Sequence, residues 1–125
     1  MNFLVIDGTQ DKIKFFLHFN NYSYHKSFEA SKNNNEQFSL LLFNFINENN
    51  VEASELNNIF VNQGPGKFSG IRTSIAVAKA LSFTNRLNLY GFNSNDLKDM
   101  NYNSIIDLYE KELITKNLIN PVYSS

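Results

Sequence analysis

The residues best suited to chemistry form a glycine-rich segment, Gln63-Gly64-Pro65-Gly66-Lys67-Phe68-Ser69-Gly70, between a predicted strand and a predicted helix. Glycines permit positive φ angles and a close approach of the backbone to its neighbours. The first N–H groups of the following helix lack intrahelical partners, so they could bind an anion. The segment is not a Walker loop, because Gly-Lys-Ser/Thr is missing at the required spacing. A tight strand-to-helix turn is the alternative interpretation.

The rest of the sequence gives little support for a metal site or a catalytic nucleophile. Cysteine is absent, which excludes disulfides, thiolate metal sites and cysteine nucleophiles. His18 and His25 are the only histidines, and no carboxylate accompanies them in a metal-binding pattern. Ser69 has no evident histidine base. We therefore predict no catalytic residue and no metal site.

Composition predicts one globular domain. The 125 residues are 42% hydrophobic and 18% charged, with a net charge of −1. Near-neutral charge with scattered lysines and arginines argues against autonomous nucleic-acid binding. The start of the chain does not resemble a signal peptide, and no run approaches the roughly 20 apolar residues of a membrane span. We expect a cytoplasmic protein that has no membrane partner.

The elements that would position the glycine-rich segment follow the order β-β-β-α-β-α-β. Predicted strands cover residues 2–6, 12–19, 22–28, 59–63 and 87–91, and predicted helices cover 36–49 and 70–84. The polar stretch 31–35 is expected to be a loop with a helix cap. After Phe92 the pattern weakens: residues 94–100 and 104–115 could be helical, and 118–125 could be extended.

This order predicts an α/β fold. Right-handed crossovers place the later strands on the other side of the first strand. The result is a mixed five-stranded sheet of order 3-2-1-4-5, flanked by helices, which is the ribonuclease-H-like half of the actin-like fold.

Both predicted helices are apolar on more than one side. In the first, Leu40 and Phe43 project almost opposite to the main apolar face. In the second, the only charges, Arg72 and Lys79, share one stripe. A helix that is apolar on two sides must be covered on two sides. The sheet can supply one cover, and another helix or another subunit the other.

Four segments resemble the bacterial TsaB (formerly YeaZ) family. Residues 64–72 are similar to its Gly-Pro-Gly-Ser-Phe-Thr-Gly-Leu-Arg signature, and residues 73–81 to its second helix. Residues 3–9 are similar to its first strand and Asp-Thr-Ser turn, and residues 118–123 to its closing Pro-hydrophobic-Tyr stretch. The chain departs from the family at Lys67, at Ser69 and in its Asp-Gly-Thr-Gln turn, and it is much shorter. The resemblance implies an actin-like (ASKHA) N-terminal lobe at 1–98 and, at 99–125, a remnant of the second lobe or a C-terminal tail. A fragment of a longer protein is the alternative.

The resemblance implies a non-catalytic scaffold subunit in the synthesis of threonylcarbamoyladenosine, next to the tRNA anticodon. Its partners would be a TsaD-like catalytic subunit and a TsaE-like ATPase, with tRNA contacted only indirectly. It would hold no cofactor of its own, and ATP would bind only at the partner or the partner junction. In the family, the first two helices contact the partner. We therefore assign the partner interface to Leu40, Phe43, Asn47, Thr73, Ala76, Ala80 and Phe83.

A candidate nucleotide or junction loop comprises Asp7, Gly8 and Thr9 together with Gly64, Pro65 and Gly66. In actin-like ATPases, an acidic residue after the first strand and a neighbouring hydroxyl handle metal and phosphate. Here Asp7 could instead cap its own turn, and the ATPase clamp needs a second full lobe. A minimal actin-like nucleotide-binding protein and a homodimeric interaction domain are the alternative functions.

Overall fold

The computed structural model describes residues 1–66, 68–97, 101–112, 114–116 and 119–122, with Phe68 and Thr115 described by their backbone alone. Lys67, the predicted domain boundary at 98–99, and Leu118 and Tyr123 of the predicted extended end lie outside the described residues.

Six strands and four helices form the described part of the chain. The strands are β1 (Phe3–Asp7), β2 (Lys12–Phe19), β3 (Tyr22–Glu29), β4 (Asn58–Asn62), β5 (Asn88–Phe92) and β6 (Thr115–Lys116). The helices are α1 (Lys32–Glu36), α2 (Phe38–Glu48), α3 (Phe68–Asn85) and α4 (Ile105–Glu110), and 3-10 turns lie at Ala53–Glu55, Ser94–Asp96 and Tyr102–Ser104. The predicted element order through β5 is present, with α1 added.

The strand order is β3-β2-β1-β4-β5-β6. β1 pairs antiparallel with β2 and parallel with β4, and β5 lies parallel to β4. This confirms the predicted order 3-2-1-4-5. The short β6 is an addition at the β5 edge, pairing antiparallel through Tyr90–Lys116 and Gly91–Thr115. Every residue of β1 and β4 is buried, as expected for central strands covered on both faces.

Each face of the sheet has its own hydrophobic cluster. On the first face, α2 and α3 pack Phe38, Phe45 and Ile71 against strand residues such as Leu4 and Phe15. On the second face, Leu97 and α4 cover the outer sides of β1, β4 and β5, and this cluster includes Phe3, Val5, Phe16, Phe60, Tyr90, Phe92, Leu97, Ile105 and Leu108. The C-terminal segment therefore packs on the same sheet. The division into a lobe at 1–98 and a remnant at 99–125 stays a prediction.

Most predicted strand and helix ends lie within one or two residues of the observed ones, and three further differences are larger. The expected loop at 31–35 is largely helical: α1 begins at Lys32, because the Ser31 hydroxyl accepts a hydrogen bond from the Asn34 amide and caps a helical turn. Of the possible helix at 94–100, Ser94–Asp96 form a 3-10 turn, and Leu97 after it has an extended backbone and a buried side chain. Residues 98–100 lie outside the described residues. The possible helix at 104–115 ends at Glu110, since Glu112 has a φ of 56°, which a right-handed helix excludes.

Candidate functional site

The carboxyl group of Asp7 lies buried at the carboxyl end of β1, with 1% of the residue exposed. Its Oδ1 accepts hydrogen bonds from the amide and the hydroxyl of Thr9, at 3.0 and 2.7 Å. Its Oδ2 accepts from Asn62 Nδ2 at 3.1 Å and from the Tyr102 hydroxyl at 2.6 Å. An ionised carboxylate offers about four lone-pair sites. Four donors within the protein therefore use the full accepting capacity of this group.

The Asn62 side chain lies at the centre of the polar cluster that Asp7, Thr9, Asn62, Ser94 and Tyr102 form. Asn62 ends β4, which lies parallel to its neighbour β1. Its side chain therefore emerges beside that of Asp7, at the carboxyl ends of the two central strands. Besides Asp7, its amide group donates to Ser94 Oγ at 2.9 Å, and its Oδ1 accepts from the Gly64 amide at 2.9 Å. The side chain thereby connects the turn after β1 with the glycine-rich segment and the turn after β5.

Tyr102 closes the cluster from the C-terminal segment. Burial is the main cause that raises the pKa of its phenol far above the usual value, and the charge and the hydrogen bond of Asp7 add to it. The phenol therefore stays protonated and donates to the carboxylate throughout the physiological range.

The candidate loop packs by backbone-to-backbone contact. A Cβ on Gly8 would lie 2.6 Å from the carbonyl oxygen of Gly70. A Cβ on Gly70 would collide with the carbonyl oxygen of Gly8, and one on Gly66 with that of Thr9. Only glycine fits such approaches. This supports the strand-to-helix turn as a reason for these glycines, independently of any ligand.

Gln63 and Gly64 form hydrogen bonds to two later parts of the chain, the turn after β5 and the segment 119–122. Gly64 has a φ of 122°, and its carbonyl accepts from the Ser94 amide at 2.9 Å. The Gln63 carbonyl accepts from the Val122 amide at 2.7 Å, and Gln63 Nε2 donates to the Asn120 carbonyl at 3.0 Å. The peptide bond between Gly64 and Pro65 is cis. The structure brings the six predicted loop residues together at the carboxyl ends of β1 and β4. Pro65 is exposed there, and the other five are buried, namely Asp7, Gly8, Thr9, Gly64 and Gly66.

Sequence reasoning missed Asn62, Ser94 and Tyr102. Asn62 carried a usable signal, because a polar residue directly after a buried strand emerges beside the end of the parallel strand next to it. No local pattern marks Tyr102, which lies 95 positions from Asp7.

The predicted partner interface lies on α2 and α3. Leu40 and Phe43 are 55% and 58% exposed on α2, and Phe83 is 85% exposed on α3. Asn47, Ala76 and Ala80 are exposed as well, and Thr73 is partly buried. All seven predicted residues thus lie on one helix pair and reach its surface.

An apolar groove of about 200 Å³ runs between the two helices. Its lining consists of Ser39, Leu42, Phe43 and Ile46 from α2 and Val77, Ala80, Leu81 and Thr84 from α3. Phe43 and Ala80 belong to both the groove and the predicted interface. We call the groove, together with the exposed Leu40 of α2 and the exposed Ala76 and Phe83 of α3, the helix-pair surface.

The two histidines belong neither to the polar cluster at Asp7 nor to the helix-pair surface. The His18 ring stacks on Phe3 with a centroid distance of 5.2 Å, and its Nδ1 lies 3.2 Å from Ser23 Oγ. His25 pairs with Phe16, so the two histidines are diagonal neighbours on the hairpin of β2 and β3. Across the described ranges, His, Asp and Glu do not gather in groups of three or more that could hold a metal ion. Nor does any helix of those ranges combine the length and hydrophobicity needed to cross a membrane.

A family model for TsaD, tRNA N6-adenosine threonylcarbamoyltransferase, matches residues 20–100. The chain belongs to the TsaD family. It is also 36% identical, over 62 residues, to the tRNA N6-adenosine threonylcarbamoyltransferase of Anoxybacillus flavithermus, and the match covers 50% of this chain and 18% of that protein.

Solved structures show the same fold for this TsaD-family chain. YeaZ from Pseudomonas aeruginosa superposes with a TM-score of 0.68 at 18% identity, covering 74% of this chain and 43% of YeaZ. RuvC of T. thermophilus, solved with a Holliday junction substrate, superposes with a TM-score of 0.51 at 8% identity, covering 74% of this chain and 64% of RuvC. The YeaZ (TsaB) resemblance drawn from the sequence and the predicted actin-like fold are confirmed. The chain spans less than half the length of YeaZ and less than a fifth of that of the Anoxybacillus enzyme.

Proposed function

We propose that this chain is a non-catalytic scaffold subunit that binds a TsaD-type catalytic subunit in the complex that makes threonylcarbamoyladenosine in tRNA. The observation that carries the proposal is the helix-pair surface. Leu40 and Phe43 on α2 and Phe83 on α3 are each more than half exposed, and the same two helices form an apolar groove. Single exposed hydrophobic residues are common, but a contiguous group around a groove is typical of a protein-binding site.

The environment of Asp7 supports the non-catalytic part of the proposal. A metal or phosphate group bound there would have to displace Tyr102, Asn62 or Thr9, because these residues use both carboxylate oxygens. Nucleotide chemistry is therefore assigned to the catalytic partner or to the junction with it. A TsaE-type ATPase would belong to the same cytoplasmic complex, and tRNA would be reached through the partner.

Co-purification with the TsaD-type subunit from the same genome tests the interface. Leu40→Asp, Phe43→Asp and Ala76→Asp place a charge on the helix-pair surface. Each should weaken the association roughly 5- to 150-fold, since a well-placed apolar interface side chain contributes about 1–3 kcal/mol. Tyr22→Asp is the matched control, because Tyr22 is 68% exposed on the edge strand β3, away from α3. Association that survives all three helix substitutions would show that the interface lies elsewhere.

Calorimetric titration with magnesium-ATP separates this function from a minimal nucleotide-binding protein. The wild-type chain alone is expected to bind more weakly than about 1 mM, which corresponds to only about 4 kcal/mol. Tight binding that Asp7→Ala abolishes would instead favour the nucleotide-binding function. Self-association through the same helices, the other alternative, would appear as a doubled mass in light scattering of the chain alone.

A further inference from the structure

We propose that a cavity at the amino ends of β4 and β5 binds a small aliphatic ammonium ion, held by Asn58, Tyr109 and Glu110. The cavity has a volume of about 440 Å³ and lies between these strand ends and α4. It is at the opposite end of the central strands from Asp7, and on the other face of the sheet from α2 and α3. The site is therefore separate from the helix-pair surface, and it does not depend on the proposed function.

Asn58 places an unsatisfied acceptor at the wall of this cavity. It begins β4, is 4% exposed, and donates through Nδ2 to Met1 Sδ at 2.6 Å. Its Oδ1 is buried and has no hydrogen-bond partner among the described residues. Nearly all buried polar atoms in folded proteins have a partner, so an exception calls for an explanation. A ligand that donates a hydrogen bond to Oδ1 would supply the missing partner.

Met1 controls access to this oxygen. Its thioether lies against the Asn58 amide group, and the residue is 44% exposed. A methionine side chain is unbranched and has three rotatable bonds, so it can turn away without moving the strands. The Asn58 amide would then be open to the cavity that both residues line.

Glu110 supplies the charge of the cavity. It ends α4, it is exposed, and it alone among the described lining residues has a charged side chain. No cation of the described ranges, the Met1 amino group included, lies within ion-pair distance of its carboxylate. An unpaired carboxylate in a cavity attracts a positively charged ligand.

Tyr109 forms an aromatic wall whose orientation is fixed by its neighbours. Its ring makes edge-to-face contacts with Tyr90 and Phe60, at centroid distances of 5.2 and 6.1 Å. An aromatic ring attracts a cation that lies over its face. The chain already shows this chemistry next to the cavity, because Lys116 Nζ lies 5.7 Å from the centroid of the Tyr90 ring.

These groups together define the class of ligand. Asn58 Oδ1 and the Glu110 carboxylate both accept hydrogen bonds, and a primary ammonium group offers three donors and one positive charge. Met1 and Ile106 give the same cavity an apolar part, which suits an aliphatic stem. A metal ion fits less well, because Ca²⁺ takes about six to eight oxygen ligands. Within the described ranges, His, Asp and Glu form no group of three or more that could hold a metal.

The test titrates the full chain with n-butylammonium chloride at constant ionic strength and follows the amide signals by NMR. The ion should shift the side-chain amide signal of Asn58, with a dissociation constant of about 1–10 mM. Tetramethylammonium has the same charge but no N–H donor, so it should bind at least about fivefold more weakly. Nα-acetyl-lysine methylamide presents the same ammonium group on a lysine side chain. Tighter binding of this amide would assign the site to a lysine of a partner protein, and weaker binding to a free amine, and either result supports an ammonium site.

Variants test the two acceptors separately. Glu110→Gln should weaken n-butylammonium binding about three- to tenfold. Glu112→Gln is the matched control and should change binding by less than about twofold, because it removes the same charge at an exposed position outside the lining of this cavity. Asn58→Leu removes Oδ1 at similar volume and should weaken binding about tenfold, with circular dichroism as the check of folding. If that variant does not fold, the tetramethylammonium comparison on wild type tests the same hydrogen bond.

Three results would overturn the proposal. The first is an Asn58 signal that does not move up to about 100 mM n-butylammonium. The second is equal binding of tetramethylammonium, which would mean that no hydrogen bond to Asn58 forms. The third is an equal loss in Glu110→Gln and Glu112→Gln, which would mean that only the general charge of the surface attracts the ion. None of these results affects association with the TsaD-type subunit, so this proposal and the proposed function can fail independently.

Discussion

The Tyr102 hydroxyl donates a hydrogen bond of 2.6 Å to Asp7 Oδ2, joining two residues that are 95 positions apart. Asp7 ends the first strand, and Tyr102 begins the segment that leads into α4 on the second face of the sheet. The bond therefore attaches the C-terminal segment to the centre of the sheet. It also uses a carboxylate oxygen that a cation at Asp7 would need.

Tyr102→Phe should destabilise the protein by about 1–3 kcal/mol, because it removes a hydrogen bond to a buried charged group and leaves Oδ2 with one donor. Urea unfolding monitored by circular dichroism measures the loss. Tyr22→Phe is the control, since Tyr22 is 68% exposed, and it should change the free energy of unfolding by less than about 0.5 kcal/mol. Equal effects of the two substitutions would mean that the bond to Asp7 contributes little.

Stability should fall above about pH 10, the ordinary pKa of tyrosine. Folding raises the pKa of Tyr102, mainly through burial. The folded chain therefore keeps a proton that the unfolded chain releases, and the stabilisation is full below pH 10 and declines as pH rises beyond it. One such group changes the free energy of unfolding by at most about 1.4 kcal/mol per pH unit.

The pH effect is measured as the difference between wild type and Tyr102→Phe in urea unfolding from pH 8 to pH 11. The difference removes the contributions of other tyrosines and lysines, which both proteins share. Parallel pH profiles would show that Tyr102 ionises equally easily in the folded and unfolded chains.

Gly8→Ala should destabilise the protein by about 1–3 kcal/mol. The new methyl group would lie 2.6 Å from the Gly70 carbonyl oxygen, so the turn after β1 and the start of α3 would have to separate. Ser69→Ala is the control, because Ser69 is the exposed neighbour of Gly70. Thermal unfolding gives both values, and an unchanged melting temperature for Gly8→Ala would show that this contact adapts freely.

Phe83→Ala should change the free energy of unfolding by less than about 0.5 kcal/mol, whereas Phe45→Ala should cost about 3–5 kcal/mol. Phe83 is 85% exposed and Phe45 is 2% exposed. A large loss from Phe83→Ala in the isolated chain would mean that this side chain serves the protein's own fold and is not available to a partner.

The strand order could be predicted because it depends on signals that are local and strong. The short links between the predicted strands 2–6, 12–19 and 22–28, together with the right-handed crossover rule, determine 3-2-1-4-5. The exposed positions of Leu40 and Phe43 followed from helical spacing alone. Two-residue β6 could not be predicted, because Thr115 and Lys116 are too few to show a periodic pattern.

The candidate site could be predicted only in its local parts. Asp7 and Thr9 are two residues apart and form a recognisable turn, so their hydrogen bond was foreseeable. The roles of Asn62, Ser94 and Tyr102 depend on how distant segments meet in space. The predicted sheet order brings the end of β4 next to Asp7, but nothing in the sequence near Tyr102 indicates which strand its hydroxyl would reach.

The hydrogen bonds at Gln63 have a consequence for the order in which the protein is completed during synthesis. The Gln63 carbonyl and amide group bond to Val122 and Asn120, which the ribosome adds more than fifty residues later. Until then, only water can satisfy the Gln63 carbonyl oxygen and its side-chain amide. A nascent chain that has not reached Asn120 therefore leaves both groups without their protein partners.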